Sequence, residues 1–144
     1  MIILSYNIRG LGSVPSWQTL QNLILNKRLT MILLQETMVD REKAIKLLSN
    51  LCSNWAMCAI NTIRNFGGLT TIWNPIIFSL KAYRVFLGIV LSSFYKGSTH
   101  WVCILNNYAP YSNQKNFWER LDDCGILDLH GIIIVDDLNL TLSP

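Results

Sequence analysis

Charge is scarce in this 144-residue chain: Asp, Glu, Lys and Arg make up 15% of it, against 51% hydrophobic residues. That balance excludes an intrinsically disordered segment, which needs little apolar material and much charge. Long apolar runs are missing as well. The longest, Val85 to Leu91, is strand-sized and falls far short of the ~18 residues of a membrane span. Met1 to Asn7 carries no basic stretch of the kind that opens a secretory signal. The chain therefore reads as intracellular, nuclear or cytoplasmic, with no membrane contact and no protein partner implied. Histidine occurs twice, at His100 and His130, and the cysteines Cys52, Cys58, Cys103 and Cys124 form no CxxC pair. No zinc pattern follows from these residues, and the cysteines read as buried thiols in a reducing compartment.

What is present suits one domain of ordinary length. The net charge of +3 permits contact with nucleic acid without amounting to a basic tract. Ile2 to Ile8 is a short apolar run ended by Gly10 and Gly12, a strand feeding a loop. Pro15 and Ser16 open a helix to about Arg28, with Trp17, Leu20 and Ile24 on one face. Met31 to Gln35 is a buried strand. Asp40 caps a second helix, whose Ala44, Leu47, Leu48 and Leu51 form an apolar stripe. Asn54 to Ile60 and Leu69 to Trp73 read as paired strands, followed by strands at Ile77 to Tyr83, Gly88 to Phe94 and Trp101 to Tyr108. Asn113 to Cys124 is a third helix, and Ile132 to Val135 a fully buried strand. This order predicts a layered α/β fold whose sheets are not purely parallel.

Polar residues recur at the strand exits. Asn7 ends the first strand and Glu36 follows the second; Asn107 and Tyr108 end the Trp101 strand, and Asp137 and Asn139 follow the Ile132 strand. Ligand sites in α/β sheets collect at such ends. Each position also has an ordinary explanation: a solvated glutamate, an Asx turn at Asp136-Asp137, a tyrosine that merely packs. Periodicity does not decide whether they converge.

Five short motifs carry a resemblance. Ser5-Tyr6-Asn7-Ile8-Arg9-Gly10-Leu11-Gly12, Leu34-Gln35-Glu36-Thr37, Gly67-Gly68-Leu69-Thr70-Thr71-Ile72-Trp73, Asn107-Tyr108-Ala109-Pro110 and Val135-Asp136-Asp137-Leu138-Asn139 occur in that order. The set resembles the endonuclease/exonuclease/phosphatase superfamily, and within it the apurinic-type endonuclease of plant LINE retrotransposons. The resemblance implies a DNase I-like α/β sandwich of mixed sheets with outer helices, residues 1–144 being the N-terminal portion of one such domain. It implies Mg²⁺-dependent hydrolysis of DNA phosphodiesters, with Mn²⁺ as a substitute, and DNA as the partner. Glu36 would ligate the metal, which needs only one or two carboxylates because it keeps most of its waters. Asp137 would orient or deprotonate the attacking water. Asn139 and Tyr108 would donate hydrogen bonds to phosphate oxygens, and Asn7 would steady the metal-bound carboxylate or water.

Two departures lead to the expectation that the activity is impaired or lost in this chain. Asp136 stands where the family has glycine, either turned away from the site or adding bulk and charge to it. The family's later motifs, a further aspartate and a closing Asp-His pair, have no counterpart here. His100 and His130 do not replace them, because both precede strands rather than follow them. A domain ending at this point is expected to take most of its second sheet from elsewhere and to expose an apolar face and a strand edge. Three readings stay open: a DNA endonuclease, an inactive retrotransposon remnant that binds nucleic acid weakly, and a superfamily member acting on phosphoinositide or sphingomyelin.

Overall fold

Parallel strands need a crossover, and the first one here is a helix. In the computed structural model, which describes residues 2–61, 67–85, 88–94, 101–109 and 113–137, β1 (Ile3–Asn7) and β2 (Met31–Gln35) run parallel, from Ile3 opposite Met31 to Asn7 opposite Gln35. Between them lies α1 (Val14–Asn26). Ser13 caps it, accepting from the Ser16 backbone N–H at 3.4 Å, and Pro15 falls in the first turn, where a missing N–H is tolerated. Asp40 caps α2 (Arg41–Leu51) more tightly, accepting from the Lys43 N–H at 2.7 Å. β3 (Ala56–Ile60) and β4 (Leu69–Trp73) are antiparallel, and β4 also pairs with β2, giving the order β1-β2-β4-β3.

β5 (Lys81–Val85), β6 (Gly88–Phe94) and β7 (Trp101–Tyr108) form an antiparallel meander. α3 (Gln114–Asp123) and a 3₁₀ turn at Ile126–Asp128 then lead to β8 (Ile132–Asp137), parallel to β7, and the second sheet has the order β5-β6-β7-β8.

The side-chain alternation of the strands sorts the core into layers. Ile32 and Leu34 of β2 face α1 and α2, packing with Leu20, Ala44 and Leu48. Met31 and Leu33 face the other way, into a cluster with Ile89 and Leu91 of β6 and Ile104 of β7. On β7 the neighbour Leu105 faces α3, against Phe117 and Leu121. The molecule is thus helices, sheet, sheet, helix. β2 is buried along its whole length, and apolar up to Gln35, because both of its faces are covered.

Four sequence expectations need correction. The strand placed at Ile77 to Tyr83 forms at Lys81–Val85. Asn74-Pro75 starts a turn instead: Asn74 Oδ1 accepts from the Ile76 N–H at 2.9 Å and its carbonyl accepts from those of Ile77 and Phe78. The second sheet does not come largely from elsewhere. Four strands of it lie in the described residues, and its inner face covers the first sheet. The Ile132 strand is only partly buried, with Ile133 37% exposed, because β8 stands last in its sheet. Cys124 is exposed, whereas Cys52, Cys58 and Cys103 are buried. Among the described residues no helix is long and apolar enough to cross a membrane.

Candidate functional site

The first three motifs are stitched together by backbone hydrogen bonds just beyond the end of β2. Ile8 N–H donates to Gln35 O at 3.0 Å, Gly10 N–H to Glu36 O at 2.8 Å and Leu11 N–H to Thr37 O at 2.8 Å. On the other side, Thr37 N–H donates to Gly68 O at 3.1 Å and Met38 N–H to Gly67 O at 3.0 Å. The segment carrying Glu36 is therefore clamped from both sides. It holds an unfavourable backbone: Arg9, Glu36 and Met38 have φ of 47°, 51° and 53°, three of the four positive-φ non-glycine residues among those described. Such positions cost on the order of 1–3 kcal/mol each and cluster where function fixes the geometry. Two buried hydroxyls in the same region, Thr37 Oγ1 and Thr70 Oγ1, find no hydrogen-bond partner among the described residues, a further cost.

Glu36 is buried, 3% exposed. Arg9, whose side chain is 76% exposed, reaches it only loosely, with Nε 3.9 Å from Oε2. A contact this long and this wet contributes little. Asn7, half-buried at the end of β1, accepts the Arg9 N–H on its Oδ1 at 3.3 Å. Asn7 and Glu36 thus share one end of the first sheet, with the Asn7-to-Gly10 backbone turning past both.

The second sheet presents its own parallel pair at the same place. β7 and β8 are in register with Asn107 opposite Asp136 and Tyr108 opposite Asp137, so both strands exit together. The two exits meet through a buried amide pair, Gln35 Nε2 donating to Asn106 Oδ1 at 2.8 Å. Gly67 adjoins Tyr108: a Cβ built on it would come 3.9 Å from Tyr108 Cδ1. Asn107 is fully buried and accepts the Tyr108 N–H on its own Oδ1.

The sequence-predicted site residues sort as follows. Asn7, Glu36 and Tyr108 come to one corner where the two sheets meet. The backbone of Asp137 ends β8 beside Tyr108. Asn139 lies outside the described residues. His130 is exposed ahead of β8, at the end of the strand opposite Asp137; His100 lies outside the described residues. Gln35 and Asn106 belong to no chemistry-bearing motif position and were not singled out. The signal that marks them is a polar amide at an inward-facing position of an otherwise apolar strand.

The donor set at this corner suits a hard cation. Among the described residues no three of His, Cys, Asp and Glu come together. Glu36, with Asn7 at the same end of the first sheet, could contribute to holding a hard divalent cation that keeps several of its waters.

No protein-family model and no curated protein sequence matches the chain. Solved structures do. The AP endonuclease LMAP of Leishmania major superposes with a TM-score of 0.69 at 14% identity, over 96% of this chain and 55% of that one. The Xenopus laevis APE2 catalytic domain gives 0.68 at 17% identity, over 100% and 60%. Caenorhabditis elegans TDP2 gives 0.66 at 19% identity, over 96% and 47%. The chain spans about half to three-fifths of the length of these structures and shares their fold, the DNase I-like α/β sandwich of two mixed sheets.

Proposed function

We propose that this chain carries part of the active site of a Mg²⁺-dependent phosphodiesterase that cleaves DNA as an endonuclease, of the plant LINE-retrotransposon type. One observation carries the reading: the exits of two parallel strand pairs, one from each sheet, meet at Glu36 and Tyr108, so that motifs far apart in sequence share one corner. That the matching structures include the AP endonuclease of Leishmania major adds to it.

Glu36 would hold the cation, with Mn²⁺ able to replace Mg²⁺. Its burial makes the carboxylate a poor partner for bulk water and a good one for a divalent ion. The bound ion supplies charge that polarises the phosphate and stabilises the leaving oxygen. Asn7, fixed by the Arg9 N–H, steadies the ligand sphere. Asp137 takes the proton of the attacking water or orients it. Tyr108 and Asn139 donate hydrogen bonds to phosphate oxygens as negative charge grows on them. The mild net charge of +3 supports nonspecific contact with the DNA backbone, weakened by salt.

Nicking of supercoiled plasmid tests the proposal. Any conversion of plasmid to open circles by this chain is expected to require Mg²⁺ or Mn²⁺ and to stop when EDTA is added. Glu36→Ala should lower the rate by about 10²-fold or more, the scale for losing an electrostatic stabiliser. A rate that Glu36→Ala leaves unchanged defeats the assignment. Salt-sensitive DNA binding without turnover would identify the inactive remnant instead.

A further inference from the structure

The space between the two sheets is apolar along most of its length and polar at one end. On the inner face of β2, Met31 and Leu33 are followed by Gln35; on the inner face of β7, Val102 and Ile104 are followed by Asn106. Both amides are shut off from water, 2% and 0% exposed. Gln35 Nε2 donates to Asn106 Oδ1 at 2.8 Å. Asn106 Nδ2 donates to Thr71 Oγ1 at 3.0 Å, and lies 3.3 Å from Thr70 O and 3.4 Å from Leu34 O. With two N–H bonds to give, it satisfies the hydroxyl with one and shares the other between the carbonyls. Asn106 thereby reaches from β7 to both β2 and β4 of the opposite sheet.

Stability alone is a poor reason for this pair. A buried hydrogen bond gains little net over the water it replaces, and apolar residues of similar size would fill the layer about as well. A directional pair instead admits one alignment of the sheets and penalises every other. The position of the pair is telling. Glu36 is the next residue after Gln35, and Tyr108 lies two beyond Asn106. β6 braces the same spot, for Gly88 presses so closely on Asn106 that a Cβ there would stand 2.2 Å from its carbonyl oxygen.

We propose that Gln35 and Asn106 are positioning residues: their bond across the sheets sets the separation between the Glu36 half and the Tyr108 half of the site. The inference rests on the phosphodiesterase reading for its consequence, though not for its geometry. Neither amide touches the reacting atoms.

The test uses the full chain with Gln35→Met and Asn106→Leu, separately and together. Asn106→Leu strands the Gln35 amide and the Thr71 hydroxyl, so its urea midpoint falls; the double variant recovers toward wild type because both amides are gone. Separation is read by Mn²⁺, which is paramagnetic. With 3-fluorotyrosine incorporated and the Tyr108 ¹⁹F line assigned by Tyr108→Phe, Mn²⁺ should broaden that line in the wild type and not in Glu36→Ala. In the double variant the broadening is expected to be lost or weakened at saturating Mn²⁺. There kcat for nicking should fall by about tenfold or more while KM stays within about twofold, the pattern of misplacement rather than lost binding. A double variant with wild-type broadening and kcat overturns the proposal, and so does a wild type in which Mn²⁺ leaves the Tyr108 line sharp. Should the double variant not fold, Gln35→Met alone, which leaves Asn106 its other partners, is held to the same readouts. Mn²⁺ broadening without nicking would defeat the phosphodiesterase reading while the line widths still decide the positioning claim.

Discussion

At Gly88 the backbone φ is 151°, and any side chain there meets the carbonyl oxygen of Asn106 across the β6–β7 ladder. Single atoms decide whether this corner can form. Gly88→Ala has to rotate or push back a central strand, and is expected to destabilise the chain by about 1–3 kcal/mol, the cost of a backbone forced from its preferred state. A urea titration checks this, with the midpoint shifting and the slope kept. Glu36 shows the opposite case. Its φ of 51° is one that a glycine would adopt freely, yet the chain keeps a carboxylate there and holds it with hydrogen bonds to Gly10 and, through Thr37, to Gly68. Local propensity alone would not place it so; the neighbouring strands do.

The elements differ in how much they depend on their neighbours. α2 is fixed locally as well as by packing: the Asp40 cap is short, Glu42 stands in the first turn and the buried stripe includes Ala44 and Leu48. α1 has a long capping bond at 3.4 Å and no acidic residue in its first turn. Asp40→Ala should therefore cost about 1 kcal/mol and Ser13→Ala clearly less, in the range seen for N-caps. Thermal midpoints of the two variants check the order, and equal shifts would contradict it. β8 is an edge strand among the described residues. It pairs with β7 on one side, and Ile133 is exposed on it although its Ile132–Val135 run is as apolar as Met31–Leu34 of β2. The same kind of run is buried in the middle of one sheet and half open at the edge of another.

Across the whole molecule the four layers shield three thiols, Cys52 against the helices, Cys58 between the sheets and Cys103 on β7. Burial pushes all three above the ordinary thiol value of 9.0; at Cys58 the charges of Arg84 and Arg41 partly oppose this. The thiolate is thus disfavoured in the folded state only. Stability should hold up to about pH 9, where the unfolded chain begins to ionise, and fall as pH rises further toward the folded values. Denaturant midpoints from pH 7 to 10 measure this, and a rise across that window would reverse the assignment. A thiol reagent at neutral pH should modify exposed Cys124 first and the other three only when the layers open. Mass spectrometry of the labelled chain gives the order.

How much of this was legible beforehand follows from the range of each interaction. Helix stripes, the Asp40 cap and the polar residues that end the Ile3 and Met31 runs depend on contacts a few residues apart, and the amino-acid order determined them without help. The five motifs are likewise a matter of residue order alone. The turn at Asn74 was missed because a side chain that satisfies its neighbours' N–H groups competes with the strand pattern. Which run becomes an edge, how the two sheets face each other, and whether Glu36 and Tyr108 share a corner were decided only in three dimensions. The Gln35–Asn106 bond spans 71 residues of chain, and hydrophobic periodicity says which face a residue takes but not which partner that face will meet.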